Sequence, residues 1–315
     1  MRVAVIGAGA VGCYFGGCLA AAGSEVWFRA RGAQAEALRS RGLTLVTPEG
    51  ETHVAAPRLL DVGETPGRFD ILLLTVKMYD LETAAAGLEP LLHGESAVIP
   101  LQNGVEAVDL LRRRVDSAHL CGGLARIGAS LVRPGVVERV GSMAQLVFGE
   151  LDGRLSPRLE AFAEACRSAR IDAACVPDIE RQLWEKFVFL TPFAAATARS
   201  RQPIGPVRED PALWRDLRAM LEEATAVGRA SGVPLPVDLP ERIAAFVQGL
   251  PGAMRSSLLN DLEAKKRLEL DWLTGAVLRL GAKHGIPVPV TAAYHRALTP
   301  FAAGSPPFDP RAGGT

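Results

Sequence analysis

Lysine is scarce in this chain. Of 35 basic residues in 315, only Lys77, Lys186, Lys265, Lys266 and Lys283 are lysine. Arginine supplies the generic surface charge, so a lysine in an apolar setting asks for a specific reason. Net charge is also lacking, since Lys+Arg and Asp+Glu both total 35. Nucleic acid or an anionic membrane would call for a one-sided excess, so neither is an expected partner. The five cysteines are an odd number and form no Cys-x-x-Cys pair. They read as free structural thiols in a reducing, cytoplasmic compartment, and no bound metal is expected. No uninterrupted apolar run approaches about 18 residues, which argues against a membrane span. The first apolar run opens at residue 3 and breaks at glycines, unlike a secretory leader.

What is present is alternation. Short apolar runs at Val3–Ile6, Glu25–Phe28, Phe69–Val76 and Ala97–Leu101 read as strands, with helical stretches between them at Ala10–Ala22, Ala33–Arg41 and Leu81–Leu92. Strands alternating with helices predict a parallel sheet covered on both faces. Further short strands are expected within His119–Val132, Val136–Val140, Gln145–Phe148 and Ile171–Val176, with a helix at Ser156–Ala169. After Pro177 the helical period takes over, through Ile179–Ala198, Ala212–Ser231, Leu239–Leu250 and Arg255–His284. The expected fold class is α/β. A Rossmann domain with a doubly wound, mainly parallel sheet spans 1–177, and a mostly α-helical domain spans 178–315. The Gly/Pro-rich tail from Ala302 is expected to fray.

Gly7-Ala8-Gly9-Ala10-Val11-Gly12 follows the first strand and opens the first helix. Gly7 permits the tight turn, Gly9 lets a pyrophosphate approach the backbone, and Gly12 allows helix to pack on strand. The plainer alternative is a packing turn with no ligand. About 20 residues on, an NAD site places an acid for the ribose 2′-hydroxyl. Here the second strand ends in Arg29-Ala30-Arg31-Gly32, with no acid. A guanidinium suits a 2′-phosphate, so NADP(H) is favoured, with Arg31 as the contact, unless these arginines only solvate a strand end. Lys77 and Asn103-Gly104 follow two further strands at the edge where such sheets bind ligands. Their simpler readings are a solvated cation and an ordinary turn.

Reduction of a ketone leaves an oxygen to be protonated, so a general acid is required. The five histidines lie in loops or at element ends. Lys186, in LWEKFVFL, lies in the most apolar helical stretch, where burial would lower its pKa. It would otherwise snorkel or pair with Glu185 or Glu180. Ser257 and Asp261 share a helix face, and Ser257 could donate to a substrate carboxylate. Glu269 is 12 residues beyond Ser257, about 18 Å along a straight helix. The two would then serve different ligands, unless the cluster is only a solvated face.

GAGAVG, the ARG of Arg31, the TVK of Lys77, the QNG of Asn103, the LWEKF of Lys186, and SSLLNDL with the LELD of Glu269 together resemble the ketopantoate reductase (2-dehydropantoate 2-reductase) family. The resemblance covers nearly the whole chain. It implies reduction of 2-dehydropantoate to (R)-pantoate by NADPH, a step toward pantothenate and coenzyme A, with the oxo acid held between the domains. It implies further that the glycine loop, Arg31, Lys77, Asn103 and Glu269 contact NADP, that Lys186 donates the proton, and that Ser257 binds the substrate carboxylate. Members of the family place asparagine four and eight residues after the lysine, where this chain has Leu190 and Ala194. A further Asn-Gly of the family is Ile204-Gly205 here. Those asparagines hold the hydroxyl and carboxylate of ketopantoate, so another branched 2-oxo acid is a second candidate substrate. A non-catalytic NADPH-binding sensor is a third reading, and a homodimer is left open.

Overall fold

The computed structural model describes residues 1–304, so the tail beyond Gly304 lies outside the described residues. The chain divides into two compact units. The first is Met1–Gln102 with Glu106–Glu180, and the second is Asn103–Val105 with the chain from Arg181 onward.

In the first unit the order is β1 (Arg2–Ile6), α1 (Ala10–Ala21), β2 (Glu25–Arg29), α2 (Gly32–Arg41), β3 (Leu43–Thr47), β4 (Gly50–Val54), β5 (Arg58–Leu59), β6 (Ile71–Leu74), α3 (Leu81–Ala85), β7 (Ala97–Pro100), α4 (Ala107–Leu111), β8 (Cys121–Arg133), β9 (Val136–Glu150), α5 (Pro157–Ser168) and β10 (Asp172–Cys175). Strands β5-β2-β1-β6-β7 form a wholly parallel sheet, the Rossmann arrangement expected. Every residue of β6 and β7 is buried. An unbroken apolar run is what a strand covered on both faces needs.

A second sheet, β10-β9-β3-β4 with β8 on β9, was not foreseen at this size. The expected short strands between 119 and 148 are one long antiparallel hairpin, β8–β9, whose register shifts at Ile127/Ala129 and Leu131/Arg133. Bulges there absorb the irregular polar and apolar spacing of this segment. Helix α1 packs against both sheets. A Cβ on Gly16 would meet Phe28 and Val5 within 3 Å, and one on Gly17 would meet Leu43 and Leu45 at about that distance. The Ala/Gly composition of α1 follows, because a helix buried on both sides has no room for a polar stripe.

The second unit is built from α6 (Ile179–Ser200), α7 (Ile204–Glu209), α8 (Pro211–Ala230), α9 (Leu239–Gln248), α10 (Ser257–Glu263), α11 (Thr274–His284) and α12 (Pro289–Leu298), with α6 starting two residues before the unit boundary. Two helical expectations fail. Leu81–Leu92 stops at Ala85, because Gly87 takes φ +79° and Pro90 follows. Arg255–His284 is not one helix. It ends at Glu263, Lys265 takes φ +54°, and a single turn at Leu270–Trp272 precedes α11. The break buries Leu268 and Leu270 in the core of the unit. The 18 Å straight-helix separation of Ser257 and Glu269 therefore does not apply. Among the described residues no helix is long and apolar enough to cross a membrane.

All five cysteines are thiols. Burial pushes Cys13, Cys121 and Cys166 up to about 12, and Cys18 to about 11. Folded values above the ordinary 9 stabilise the fold fully below pH 9, and that stabilisation is lost as pH rises from 9 toward 12. The unfolding midpoint is therefore expected to fall steeply above pH 9. A Cys13→Ala, Cys166→Ala double variant should show a shallower fall, and an unchanged slope would remove these thiols as the cause.

Candidate active site

Ile6 pairs with Arg29 on one side and Leu74 on the other, and Leu74 pairs with Pro100. The carboxyl ends of four parallel strands thus stand side by side, the edge where open α/β sheets bind ligands. The glycine turn leaves β1 at this edge. Gly7 has φ +116°, in the left-handed region that favours glycine, and the N–H groups of Gly7 and Ala8 both donate to the Arg29 carbonyl at 3.2 Å. A Cβ on Gly12 would lie 2.2 Å from the Gly7 carbonyl oxygen and 2.4 Å from Thr75 Oγ1, so glycine is required for α1 to approach. Gly9 is the opposite case. It is exposed, and a Cβ there would meet nothing within 4 Å. The start of α1 thus has no capping side chain and open space over its N-cap glycine, which is what an incoming pyrophosphate needs.

Two side chains that the sequence reading passed over hold this edge. Thr75 Oγ1 donates to the Gly7 carbonyl at 2.5 Å. Gln102, buried, donates from Nε2 to the carbonyls of Leu74 and Val76 at 2.9 and 3.0 Å. Each is the first residue of a motif already singled out, TVK and QNG, and that membership is the signal that could have found them. Lys77 follows with extended backbone and a half-buried side chain. Arg31 stands at the start of α2, its side chain 72% exposed, with Nη2 3.1 Å from Asp80.

In the second unit, Lys186 is half-buried on α6 beside buried Trp184, Phe187 and Val188, and its Nζ donates to Asn103 Oδ1 at 2.9 Å. An amide oxygen orients an ammonium without neutralising it. Glu185, a partner considered for the lysine, accepts from Arg181 at 2.8 Å. Gly104, with φ +113°, comes so near the Trp272 carbonyl that a Cβ would lie 2.9 Å from its oxygen. Asn103-Gly104 therefore joins the helix of Lys186 to the turn that begins after Glu269, a residue only 5% exposed.

Ser257 is the first residue of α10 and is exposed. Its neighbour Ser256 is buried. The Ser256 hydroxyl accepts from the Leu259 N–H at 3.0 Å and shares a 2.7 Å hydrogen bond with Thr197 of α6, tying the start of α10 to that helix. Leu190 is half-buried, and Ala194 and Ile204 lie in the apolar core. The structure thus gathers the glycine turn, Arg29 and Thr75–Lys77 in one unit, and Lys186, Asn103 and the Glu269 turn in the other.

Comparison with known proteins agrees with both halves. The family model described as ketopantoate reductase PanE/ApbA matches residues 3–153, and its C-terminal companion matches 178–301. The 2-dehydropantoate 2-reductase of Archaeoglobus fulgidus is 35% identical over 285 residues, covering 90% of this chain and 92% of that protein. The uncharacterized oxidoreductase YkpB of Bacillus subtilis (strain 168) is 29% identical over 303 residues, covering 96% and 99%. Among solved structures, the PanE/ApbA family ketopantoate reductase from Ralstonia eutropha JMP134 superposes with a TM-score of 0.87 at 31% identity, covering 96% and 98%. With its glycine turn opening a parallel sheet and a lysine set on a helical second unit, the chain belongs to the ketopantoate reductase PanE/ApbA family of pyridine-nucleotide-dependent oxidoreductases.

Proposed function

We propose that this oxidoreductase uses NADPH to reduce 2-dehydropantoate to (R)-pantoate, with Lys186 as the proton donor. The observation that carries this reading is the hydrogen bond from Lys186 Nζ to Asn103 Oδ1, 2.9 Å, which fixes an ammonium with a neutral acceptor. The space over Gly9 fits a bound dinucleotide, with the pyrophosphate on the N–H groups of Ala10, Val11 and Gly12 and the adenosine end near Arg31 and Lys77. When bound, NADPH supplies the hydride to C2 of the oxo acid.

The chain's own residues do the rest. Lys186 gives a proton to the oxygen on C2, and Asn103 holds the ammonium on line for that transfer. Ser257 donates a hydrogen bond from its hydroxyl to the substrate carboxylate. In this reading Asn103 and Glu269 also contact the cofactor. A reducing, cytoplasmic setting belongs to the same reading, and the five free thiols support it.

One observation favours a neighbouring substrate. Leu190, Ala194 and Ile204 offer no polar group, so a branched 2-oxo acid without the hydroxyl of 2-dehydropantoate suits them as well. A panel of 2-oxo acids, assayed with NADPH and with NADH at the nicotinamide absorbance, tests both. Oxidation of NADPH by 2-dehydropantoate with the highest kcat/KM is the expected result. A higher value for 3-methyl-2-oxobutanoate would shift the substrate to the second candidate. Tight NADPH binding with no oxidation by any member would overturn the reductase reading.

A further inference from the structure

Arginine side chains that are partly buried in the first unit are matched almost everywhere. Arg158 is paired with Glu150 at 2.7 Å and also donates to the carbonyls of Ser96 and Ala118. Arg139 is bonded to Glu49 and to the Ser142 carbonyl. Arg2 is paired with Glu25 at 3.1 Å and donates to the carbonyls of Arg68 and Pro66. Arg29 differs: the Nε of Arg139 is also buried without a partner, but the rest of that guanidinium is held by Glu49 and Ser142, whereas that of Arg29 is held by nothing among the described residues. The Nε of Arg29 is buried with no hydrogen-bond partner, and among the described residues the side chain forms no ion pair. Burial holds its pKa below the usual guanidinium range, the direction desolvation gives a cation without a counter-charge. A desolvated cation left alone costs stability, and a site that keeps one implies an anion that arrives later.

The position says which anion. Arg29 is the last residue of β2, paired with Ile6, and its own carbonyl accepts from the Gly7 and Ala8 N–H groups at 3.2 Å. Its backbone is thus part of the dinucleotide turn. It stands 20 residues after Gly9, at the strand end where such folds handle the ribose 2′ position. The pyrophosphate belongs to the start of α1, so the anion left for the end of β2 is a 2′-phosphate. Arg31, two residues on, is mostly exposed and is engaged by Asp80 at 3.1 Å. That carboxylate competes for Arg31 and repels an incoming phosphate, so Arg31 by itself discriminates weakly.

We propose that Arg29 supplies a second, less solvated guanidinium to the 2′-phosphate of NADPH and carries the larger share of the preference over NADH. This rests on the NADPH reading above, and the experiment separates the two. Dissociation constants for NADPH, NADH, 2′,5′-ADP and 5′-AMP are measured for the wild type, Arg29→Met and Arg31→Met. Arg29→Met is expected to weaken NADPH and 2′,5′-ADP by roughly tenfold to a hundredfold, from loss of charge-assisted hydrogen bonds. NADH and 5′-AMP should change by less than about twofold, and Arg31→Met should have the smaller effect.

Equal losses for all four ligands would overturn the proposal, since the contact would then be to the part they share. Wild-type preference for NADPH that survives in Arg29→Met would overturn the role of Arg29 alone. Equal wild-type affinity for NADPH and NADH would overturn the NADPH reading itself. Because Arg29 has no partner to lose among the described residues, Arg29→Met should melt no lower than the wild type, and a marked drop would reveal a native partner and also count against the proposal. If that variant does not fold, Arg29→Lys carries the test. It keeps the charge without the planar fork, and an intermediate loss specific to NADPH and 2′,5′-ADP is expected.

Discussion

Replacing Lys186 by alanine is expected to lower kcat by about 10²- to 10⁴-fold, the usual contribution of a positioned general acid, while the dissociation constant of NADPH moves by less than about twofold. The split follows from where the lysine sits. It lies on α6 in the second unit, where its Nζ donates to Asn103 of the same unit. Removing it takes away the proton but leaves the turn, Arg29 and Arg31 as they are. Lys186→Arg should be nearly as inactive, because a guanidinium keeps the charge yet does not release a proton at working pH. Pre-steady-state mixing with 2-dehydropantoate, alongside equilibrium binding of NADPH, would measure both quantities. Near-normal turnover in the alanine variant would remove Lys186 from the chemistry, and a parallel loss of NADPH binding would make it a cofactor contact instead.

The glycine turn gives the other large effect, through two glycines that fail for opposite reasons. At Gly12 a Cβ would press on the Gly7 carbonyl oxygen at 2.2 Å, and that atom is backbone and cannot swing aside. Gly12→Ala should therefore push α1 away from β1, with a destabilisation of about 1–3 kcal/mol, the overpacking range, and loss of cofactor binding with it. At Gly9 the same methyl meets nothing, and the backbone is extended with φ −79° and ψ −169°, which alanine adopts freely. Gly9→Ala should fold with an unchanged melting temperature, yet bind NADPH at least about tenfold more weakly, since the methyl takes the space meant for the pyrophosphate. Thermal unfolding and nicotinamide fluorescence on the two variants test the pair. A Gly9→Ala protein with unaltered affinity would mean that the dinucleotide does not approach here.

The glycine turn and the central strands were legible in the sequence because their spacing and burial are properties of short segments. Gly7, Gly9 and Gly12 encode a backbone path by themselves, and ILLL at 71–74 can only be a strand covered twice. The second sheet was harder. Four of the five residues of β4, the last residues of β8 and the middle of β9 face solvent, with Val132, Val140 and Met143 exposed, so polar and apolar residues mix without a clean period. The break after Glu263 depends on Lys265 taking a left-handed conformation, which a lysine does not announce. At the site, residue type found the basic end of β2 but not the difference within it. Nothing local says that Arg31 is engaged by Asp80 while the Nε of Arg29 is left without a partner.

Asn103–Val105 counts with the helical unit although the chain on either side of it belongs to the other, so the polypeptide passes from one unit to the other three times. This limits how the molecule can be dissected. A fragment starting at Arg181 would retain every helix from α7 onward and most of α6, but it would lack the amide that grips its own lysine and the glycine that seats against Trp272. Swapping helical halves between relatives would part Lys186 from its own Asn103 unless the three-residue segment travelled with them.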